Sequence, residues 1–272
     1  MSNERIETSH GSIALIDTGG RGVPIVMIHA NSVCKESFKP QIEALAGLRR
    51  VIAFDLPGHG ASGDAIDPRR TYSIPGYADA LLEALGSLSV TRFVALGHSL
   101  GGHVVLEMLA KNAPVDGALI FGTPPISNDL EGLQAGFKPS PEMAYTGSAF
   151  LTEQQIGMVV ELALGKEASD NKFFLEAVRR TDGLARQYMI EAAIGGKGSN
   201  QRHLVETSPI PLAIINGEND AVIDLDYVDS IVYANVWEGK PIRLCGAGHA
   251  LHWEQTQKFN ETLLRFEDFL NG

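Results

Sequence analysis

The sequence predicts an α/β protein with a doubly wound, mostly parallel sheet of about eight strands and an inserted helical cap. Along residues 24–121, short apolar runs alternate with amphipathic stretches, which is typical of parallel strands joined by helices. Between residues 126 and 208 no such run occurs, and helical periodicity takes over. We therefore expect a core formed by residues 1–125 and 209–272 and a cap formed by residues 126–208.

The first half of the chain should open on an antiparallel hairpin, residues 5–8 and 12–17, with a turn at His10 and Gly11. The continuous apolar run 24–29 is of the kind that is buried on both faces of a parallel sheet. The further strands expected in this half are 51–55, 92–96 and 117–121, and the expected helices are about 37–48, 77–88 and 100–111. Their alternation gives successive strand-helix-strand units.

The second half should be helical first and return to the sheet afterwards. Helical periodicity is present at 153–164, 173–180 and 184–194, and a glycine-rich stretch follows at 195–199. The chain then predicts strands at 212–216 and 242–244 and helices at 225–234 and 252–270. These last strands complete the predicted sheet.

Composition narrows the possible partners. The 272 residues include 22 Lys and Arg against 33 Asp and Glu, which gives a formal net charge of −11. Such an acidic chain is poorly suited to binding nucleic acid or an anionic membrane surface. No apolar run approaches the ~18 residues of a membrane span, and residues 1–11 lack the apolar centre of a signal peptide. We therefore expect a cytoplasmic protein without a membrane partner; the sequence indicates no oligomeric state.

No metal or other cofactor is expected. Cys34 and Cys245 are too few for a disulfide framework or a zinc knuckle, and both thiols should lie in or near the core. His98 and His103 are five residues apart, a spacing that does not place both on one helical face. No other cluster of metal-ligating residues stands near them in the sequence.

Ser99 is the candidate nucleophile. It lies in the pattern G-x-S-x-G, directly after an apolar strand and before a helix. Small residues are needed two positions before and after such a serine, because the tight turn brings neighbouring backbone into contact, and Gly97 and Gly101 stand there. The backbone N–H of Leu100, at the start of the helix, should face an oxyanion.

Loops at the same edge of the sheet supply the base and the acid. The order Ser99, Asp220, His249 along the chain is the one expected for a nucleophile at a strand-to-helix turn. Glu218, Asp224 and Asp226 crowd the acid's loop, but the last two fall at the start of a helix, where they favour its N-terminus. In the loop after the first central strand, we expect the backbone N–H of Asn31 to complete the oxyanion hole, with its side chain as an extra donor.

These motifs resemble the α/β-hydrolase fold, and the resemblance covers essentially the whole chain. It rests on the segments 55–60, 97–102, 217–220 and 246–249. The segments 7–11, 64–68, 122–125, 180–183 and 237–240 are similar to the α/β-hydrolase type of N-acyl-homoserine lactonase. That narrower resemblance implies ring-opening of the lactones used in quorum sensing, and hence a quorum-quenching enzyme.

Departures from that group fall in the expected substrate pocket. His98 stands where the lactonases have an aromatic residue, Val159 where they have a tyrosine, and Ala30 where the wider family has glycine. The cap side chains that could line an acyl-chain pocket are Met143, Phe150, Met158, Val159, Phe173, Phe174, Tyr188 and Met189. From these considerations the expected pocket residues are Ala30, His98, Met143, Phe150, Val159 and Tyr188.

We expect a cofactor-free serine hydrolase that opens N-acyl-homoserine lactones or related lactones and esters through an acyl-enzyme. A general carboxylesterase of short acyl esters is the nearest alternative, because His98 and Val159 depart from the lactonase pattern. A C–C bond hydrolase or a perhydrolase could use the same triad. A ligand-binding receptor that has kept the fold would be separated from all of these by its lack of turnover.

Overall fold

An eight-stranded sheet runs through the molecule in the order β1-β2-β4-β3-β5-β6-β7-β8. The structure is a computed structural model that describes residues 2–272, with side chains from Glu4 onward. The strands are β1 (Ser2–Thr8), β2 (Gly11–Asp17), β3 (Ile25–Ile28), β4 (Val51–Phe54), β5 (Phe93–His98), β6 (Val115–Phe121), β7 (Leu212–Gly217) and β8 (Ile242–Leu244). Strands β3 to β8 are parallel, and β1 and β2 form the predicted antiparallel hairpin at one edge. The predicted fold class is confirmed.

The helices lie between these strands as the sequence predicts. They are α1 (Lys39–Leu45), α2 (Pro68–Thr71), α3 (Ile74–Ser87), α4 (Leu100–Ala110), α5 (Leu130–Gly136), α6 (Glu153–Leu164), α7 (Lys172–Arg180), α8 (Gly183–Ile194), α9 (Gln201–Thr207), α10 (Leu225–Ser230), α11 (Leu251–Glu254) and α12 (Thr256–Asn271). Short 3₁₀ turns occupy Lys35–Phe38, Pro141–Gly147, Lys166–Ala168 and Trp237–Gly239. Among the described residues, no helix is long and apolar enough to span a membrane.

The sheet is covered on both faces, which explains the continuous apolar runs of its central strands. Alternate side chains of β3 enter different cores: Val26 and Ile28 pack with the side chains of α3 and α4, whereas Ile25 and Met27 pack with those of α1 and α12. Each strand is therefore buried on both sides.

The segment between β6 and β7 carries α5 to α9. It is tied to the loop after β4: the Tyr72 hydroxyl donates to Asp182 Oδ2 at 2.6 Å, and the Asp182 N–H donates to the Gly58 carbonyl at 2.8 Å. Arg180 pairs with Asp64 at 2.9 Å. The expected division into core and cap at residues 126 and 208 stays a prediction. Helices α5 and α9 of this segment were not predicted from the sequence.

Three expectations near the C-terminus are corrected. Helix α10 ends at Ser230 rather than at 234, because Ile231 adopts an extended conformation (φ −75°, ψ 137°). The predicted last helix is broken at Gln255 (φ −132°, ψ 49°) into α11 and α12. Cys34 is buried as expected, but Cys245, just after β8 at the edge of the sheet, is exposed.

The turn from β5 into α4 requires very close backbone packing. Ser99 has φ 51° and ψ −114°, a conformation that L-residues rarely adopt. A Cβ added to Gly97 would collide with the Gly101 carbonyl, and a Cβ added to Gly101 would collide with the Ile28 carbonyl of β3. The predicted need for small residues on both sides of Ser99 is confirmed.

This packing predicts opposite effects for two glycine substitutions. Gly101→Ala should lower the free energy of unfolding by about 3 kcal/mol or more, because the new methyl group meets rigid backbone of β3. Gly157→Ala in the middle of α6, where no atom lies within 4 Å of the added Cβ, should raise it by roughly 0.5–1 kcal/mol. Urea unfolding of the two variants measures both effects. A Gly101→Ala protein as stable as the wild type would contradict the packing described here.

Candidate active site

Ser99 is held by the backbone of the neighbouring strand. Its N–H donates to the Phe121 carbonyl at 2.9 Å, and its own carbonyl accepts from the Thr123 hydroxyl at 3.0 Å. These bonds fix the strained turn from both sides, and the half-buried Ser99 lines a cavity above the sheet edge. A serine in this position is free to attack a bound ligand.

His249 lines the same cavity and is paired with Asp220 behind it. The His249 Nδ1 donates to Asp220 Oδ2 at 2.8 Å. Because the carboxylate can only accept, Nδ1 carries a hydrogen, and Nε2 is the ring nitrogen left to exchange a proton with a ligand or with Ser99. The structure thus brings together the three residues predicted as nucleophile, base and acid around one cavity wall.

Asp220 is ionised despite its burial. Burial opposes the charge, but the His249 ring and backbone N–H bonds outweigh it and hold the pKa of Asp220 below its ordinary value. Those N–H groups belong to Val222 and Ile223, at 2.8 and 3.2 Å from Oδ1. One carboxylate oxygen therefore anchors the loop, and the other orients the imidazole.

The rival carboxylates of this loop lie elsewhere. Glu218 is exposed. Asp224 caps α10 by accepting from the Tyr227 N–H at 2.9 Å, and Asp226 pairs with Arg243 at 3.0 Å. Among the residues the structure describes, Asp220 is the carboxylate that contacts His249.

Two backbone N–H groups are available for an oxyanion. Leu100 and Asn31 line the same cavity as Ser99, and within residues 2–272 neither backbone N–H donates to a protein acceptor. The Asn31 Nδ2 donates one hydrogen to the Thr146 carbonyl at 2.8 Å, because that loop lies directly against it. An amide nitrogen carries two hydrogens, so the expected donation from this side chain to a ligand stays a prediction.

The cavity has a volume of about 720 Å³ and is mostly apolar. That size lies within the ordinary range for small-molecule sites. Ala30, Met143 and Val159 line it as predicted, together with Met189. The other apolar side chains around it are Ile74, Ile126, Leu130, Leu133, Phe137, Leu162, Ala163, Ile190, Ala193, Ile194 and Val222. The cavity can therefore accept an apolar chain attached to a reactive carbonyl group.

Three expected pocket residues do not line the cavity. Phe150 is 90 % exposed on the outer surface. Tyr188 is covered by the Arg69 guanidinium, 4.3 Å from the centre of its ring. His98 lies under the sheet edge, stacked on Phe121 with ring centres 4.6 Å apart. Met158, Phe173 and Phe174 also lie outside the cavity wall.

His98 instead contacts the backbone of His249 from the face of the sheet that α1 and α12 cover. Its Nε2 donates to the carbonyl of His249 at 3.1 Å. His252 packs beside it, with ring centres 4.7 Å apart, and both rings are completely buried. Burial lowers the pKa of His98 well below its ordinary value and lowers that of His252 to about 3, so both are neutral. His98 and Leu96 are two residues apart on β5, and such residues lie on the same face of a sheet. This spacing could have shown that His98 faces the core formed with α1 and α12.

Sequence reasoning also missed contacts that position the base. Gly122, at φ 59°, lies against the His249 ring, since a Cβ added there would be 2.7 Å from Cε1. Its N–H is held by Asn216 Oδ1 at 3.0 Å. Glu254 accepts a short hydrogen bond from the Gly248 N–H next to His249. No sequence motif predicts these contacts, because they join loops that are distant in the sequence.

Within the described residues, Cys34, Glu36 and Asp55 form one cluster of potential metal ligands. The Lys35 ammonium lies 2.7 Å from Asp55 and 2.9 Å from Glu36, so an internal cation already neutralises both carboxylates. This cluster is better described as a buried ion pair than as a metal site.

Several known proteins are similar to this chain in sequence and fold. The sequence profile of the alpha/beta hydrolase family matches residues 25–262. The crystal structure of the N-acyl homoserine lactonase AidH, complexed with N-butanoyl homoserine, is 40% identical over 99% of this chain and 97% of that chain, with a TM-score of 0.92. A 2-hydroxy-6-oxononadienedioate/2-hydroxy-6-oxononatrienedioate hydrolase of Pseudomonas sp. is 26% identical over 94% of this chain and 92% of its own length. An esterase from Rhodococcus sp., 23% identical over 99% of this chain and all of that one, has a TM-score of 0.79 and shares the fold.

The loop geometry predicts which carboxylate matters for turnover. Asp220→Asn should lower kcat by roughly 10⁴, because the amide no longer holds His249 in the correct tautomer. The matched change Glu218→Gln should leave kcat within about threefold of the wild type, since that side chain is exposed and does not contact His249. Steady-state kinetics at neutral pH compares the two. A crippled Glu218→Gln enzyme beside an active Asp220→Asn enzyme would mean that the acid is wrongly placed.

The buried imidazoles predict acid sensitivity of the fold. His252 stays neutral in the folded protein down to about pH 3, whereas the unfolded chain takes up its proton below about pH 6.5. The unfolded state then binds more protons, so the free energy of unfolding falls as the pH drops through this window, by up to about 1.4 kcal/mol per pH unit for this group. Denaturant titrations between pH 6 and pH 4 measure the slope.

His252→Phe should flatten that slope by about one proton and preserve stability at pH 7, because the ring lies among Phe38, Phe121 and Phe259 and makes no hydrogen bond within the described residues. The same comparison with the exposed His203→Gln should leave the slope as it is. An unchanged pH dependence in His252→Phe would show that this imidazole is not the group that titrates.

Proposed function

The chain belongs to the alpha/beta hydrolase family, and we propose that within it the protein is a serine lactonase that opens N-acyl-homoserine lactones through an acyl-enzyme. The observation that carries the proposal is that Ser99 and His249, the latter paired with Asp220, line the same mostly apolar cavity of about 720 Å³. The 40% identity to AidH over almost the entire chain supports the lactone as substrate. The biological role that would follow is quorum quenching.

The first half of the reaction uses the paired His249 and Asp220. His249 Nε2 takes the proton of Ser99 as its Oγ attacks the lactone carbonyl. The backbone N–H groups of Leu100 and Asn31 stabilise the negative charge on the carbonyl oxygen, and the ionised Asp220 stabilises the imidazolium. The imidazolium then protonates the ring oxygen as the ring C–O bond breaks.

The second half releases the product. In a lactone the leaving alcohol stays tethered to the acyl group, so it remains in the cavity beside the acyl-enzyme. Water must therefore compete with re-closure of the ring. His249 removes a proton from that water, the new hydroxyl attacks the ester carbon, and Ser99 leaves with the proton. The net reaction adds one water to the lactone and gives an N-acyl homoserine.

Two wider expectations belong to the same proposal. Residues 126–208 would act as a cap, because α5, α6 and α8 supply much of the apolar cavity wall. Residues Met143, Val159 and Met189 would contact the acyl chain. The cytoplasmic location stays a prediction.

The proposal predicts a preference between two substrate classes. Each kcat/KM is divided by the rate constant with which hydroxide ion hydrolyses the same substrate. The resulting ratio should be higher for an N-acyl-homoserine lactone than for the p-nitrophenyl ester of the same acyl chain. Ser99→Ala should lower kcat on both by on the order of 10⁴ to 10⁶. A reversed preference would favour the general carboxylesterase. An intact cavity that binds the lactone without turnover would favour the receptor.

A further inference from the structure

His103 is a cavity residue that the proposed mechanism does not use. It lies on α4 four residues after Ser99, is 6 % exposed, and lines the cavity wall. Residues four apart share one face of a helix, and side chains lean toward the helix N-terminus. The His103 ring is therefore on the side of α4 that leads back to the nucleophile, about 6 Å along the axis.

The tautomer of His103 is fixed by Gln201. The Gln201 Nε2 donates to the His103 carbonyl at 3.2 Å, and a carbonyl can only accept, so the amide nitrogen must lie there. The other end of the amide, Oε1, then faces the ring and lies 2.7 Å from His103 Nδ1. An amide oxygen can only accept, so Nδ1 carries the proton.

The remaining ring nitrogen is an unused acceptor. Burial lowers the pKa of His103 to about 4, more strongly than the Gln201 bond raises it, so the ring is neutral at pH 7 and Nε2 keeps its lone pair. Within residues 2–272, no protein group donates to Nε2. Nε2 is not completely buried and His103 lines the cavity, so this nitrogen is open to the cavity.

This acceptor stands in a largely apolar wall. The Phe137 ring, which also lines the cavity, lies 5.9 Å from the His103 ring. When a ligand covers this acceptor with an apolar group, the acceptor loses its contact with water and binding is weakened. A ligand that places a hydrogen-bond donor there avoids this loss, so the acceptor selects ligands that carry a donor.

On the basis of the proposed function, we propose that His103 is a specificity-determining residue whose Nε2 accepts a hydrogen bond from the amide N–H of the acyl-homoserine lactone. The amide nitrogen is two bonds from the carbonyl carbon that Ser99 attacks, so it lies within reach of a group one helical turn away. A p-nitrophenyl ester of a simple fatty acid has no N–H and gains nothing from this contact. His103 therefore favours acyl-amino lactones over simple esters.

The test compares two lactones that differ only in the donor. One is N-hexanoyl homoserine lactone, and the other is its carba analogue, in which CH₂ replaces the amide N–H. After division by the hydroxide rates, the wild-type kcat/KM should be roughly 3- to 10-fold higher for the amide, mainly through KM, as one hydrogen bond would give. Equal values for the two lactones would overturn the assignment of His103. Turnover of neither lactone would overturn the proposed function itself.

Variants locate the effect in one side chain. His103→Phe should lose the amide preference by raising KM for the amide roughly 3- to 10-fold, while the carba analogue changes less than about twofold. Leu162→Ala, an apolar change elsewhere in the cavity wall, should alter both lactones in the same proportion. An equal loss on both lactones in His103→Phe would show a merely structural role. If that variant does not fold, the wild-type comparison decides alone.

Discussion

The site depends on one constraint, the close approach of the start of α4 to β3. Gly101 lies so near the Ile28 carbonyl that no side chain fits, and this proximity forces Ser99 into its left-handed conformation. Strain of this kind costs on the order of 1–3 kcal/mol and persists only where the surroundings determine it. Here the surroundings are the buried strands on both sides and the bond from Thr123 to the Ser99 carbonyl. The same approach brings the start of α4, with Leu100, and the loop after β3, with Asn31, to one cavity.

Much of this arrangement could be predicted from local sequence. The central strands are continuous apolar runs, and the limits of α6 were predicted correctly from the helical periodicity of residues 153–164. The structure adds a capping box of Thr152 and Gln155 at its start. The sheet edge at which Ser99, Asp220 and His249 meet follows from parallel topology, which places the carboxyl ends of all these strands together.

The rest depended on tertiary contacts that no local pattern specifies. Ile231 continues the apolar periodicity of α10, yet the chain turns there because its side chain is buried against the core. Phe150 is a large apolar residue of the kind that lines pockets, but it is exposed on the outer surface. In each of these positions the residue type was compatible with two environments, and packing between distant segments chose one.

The charges of the site follow from its burial. A low-polarity surround favours neutral imidazoles, and His98 and His252 are neutral below the sheet edge. Asp220 keeps a buried charge at this edge of the sheet, because two backbone N–H groups and His249 compensate it. His249 thus has the Asp220 carboxylate at its Nδ1 and the cavity on its other side. In the proposed reaction, helix α4 would serve two parts of the substrate. Its first N–H would face the oxyanion, where negative charge develops, and one turn later the neutral acceptor of His103 would bind an uncharged or cationic donor. Attraction for the reacting oxygen and recognition of the remaining substrate would then be separated by one turn of the same helix.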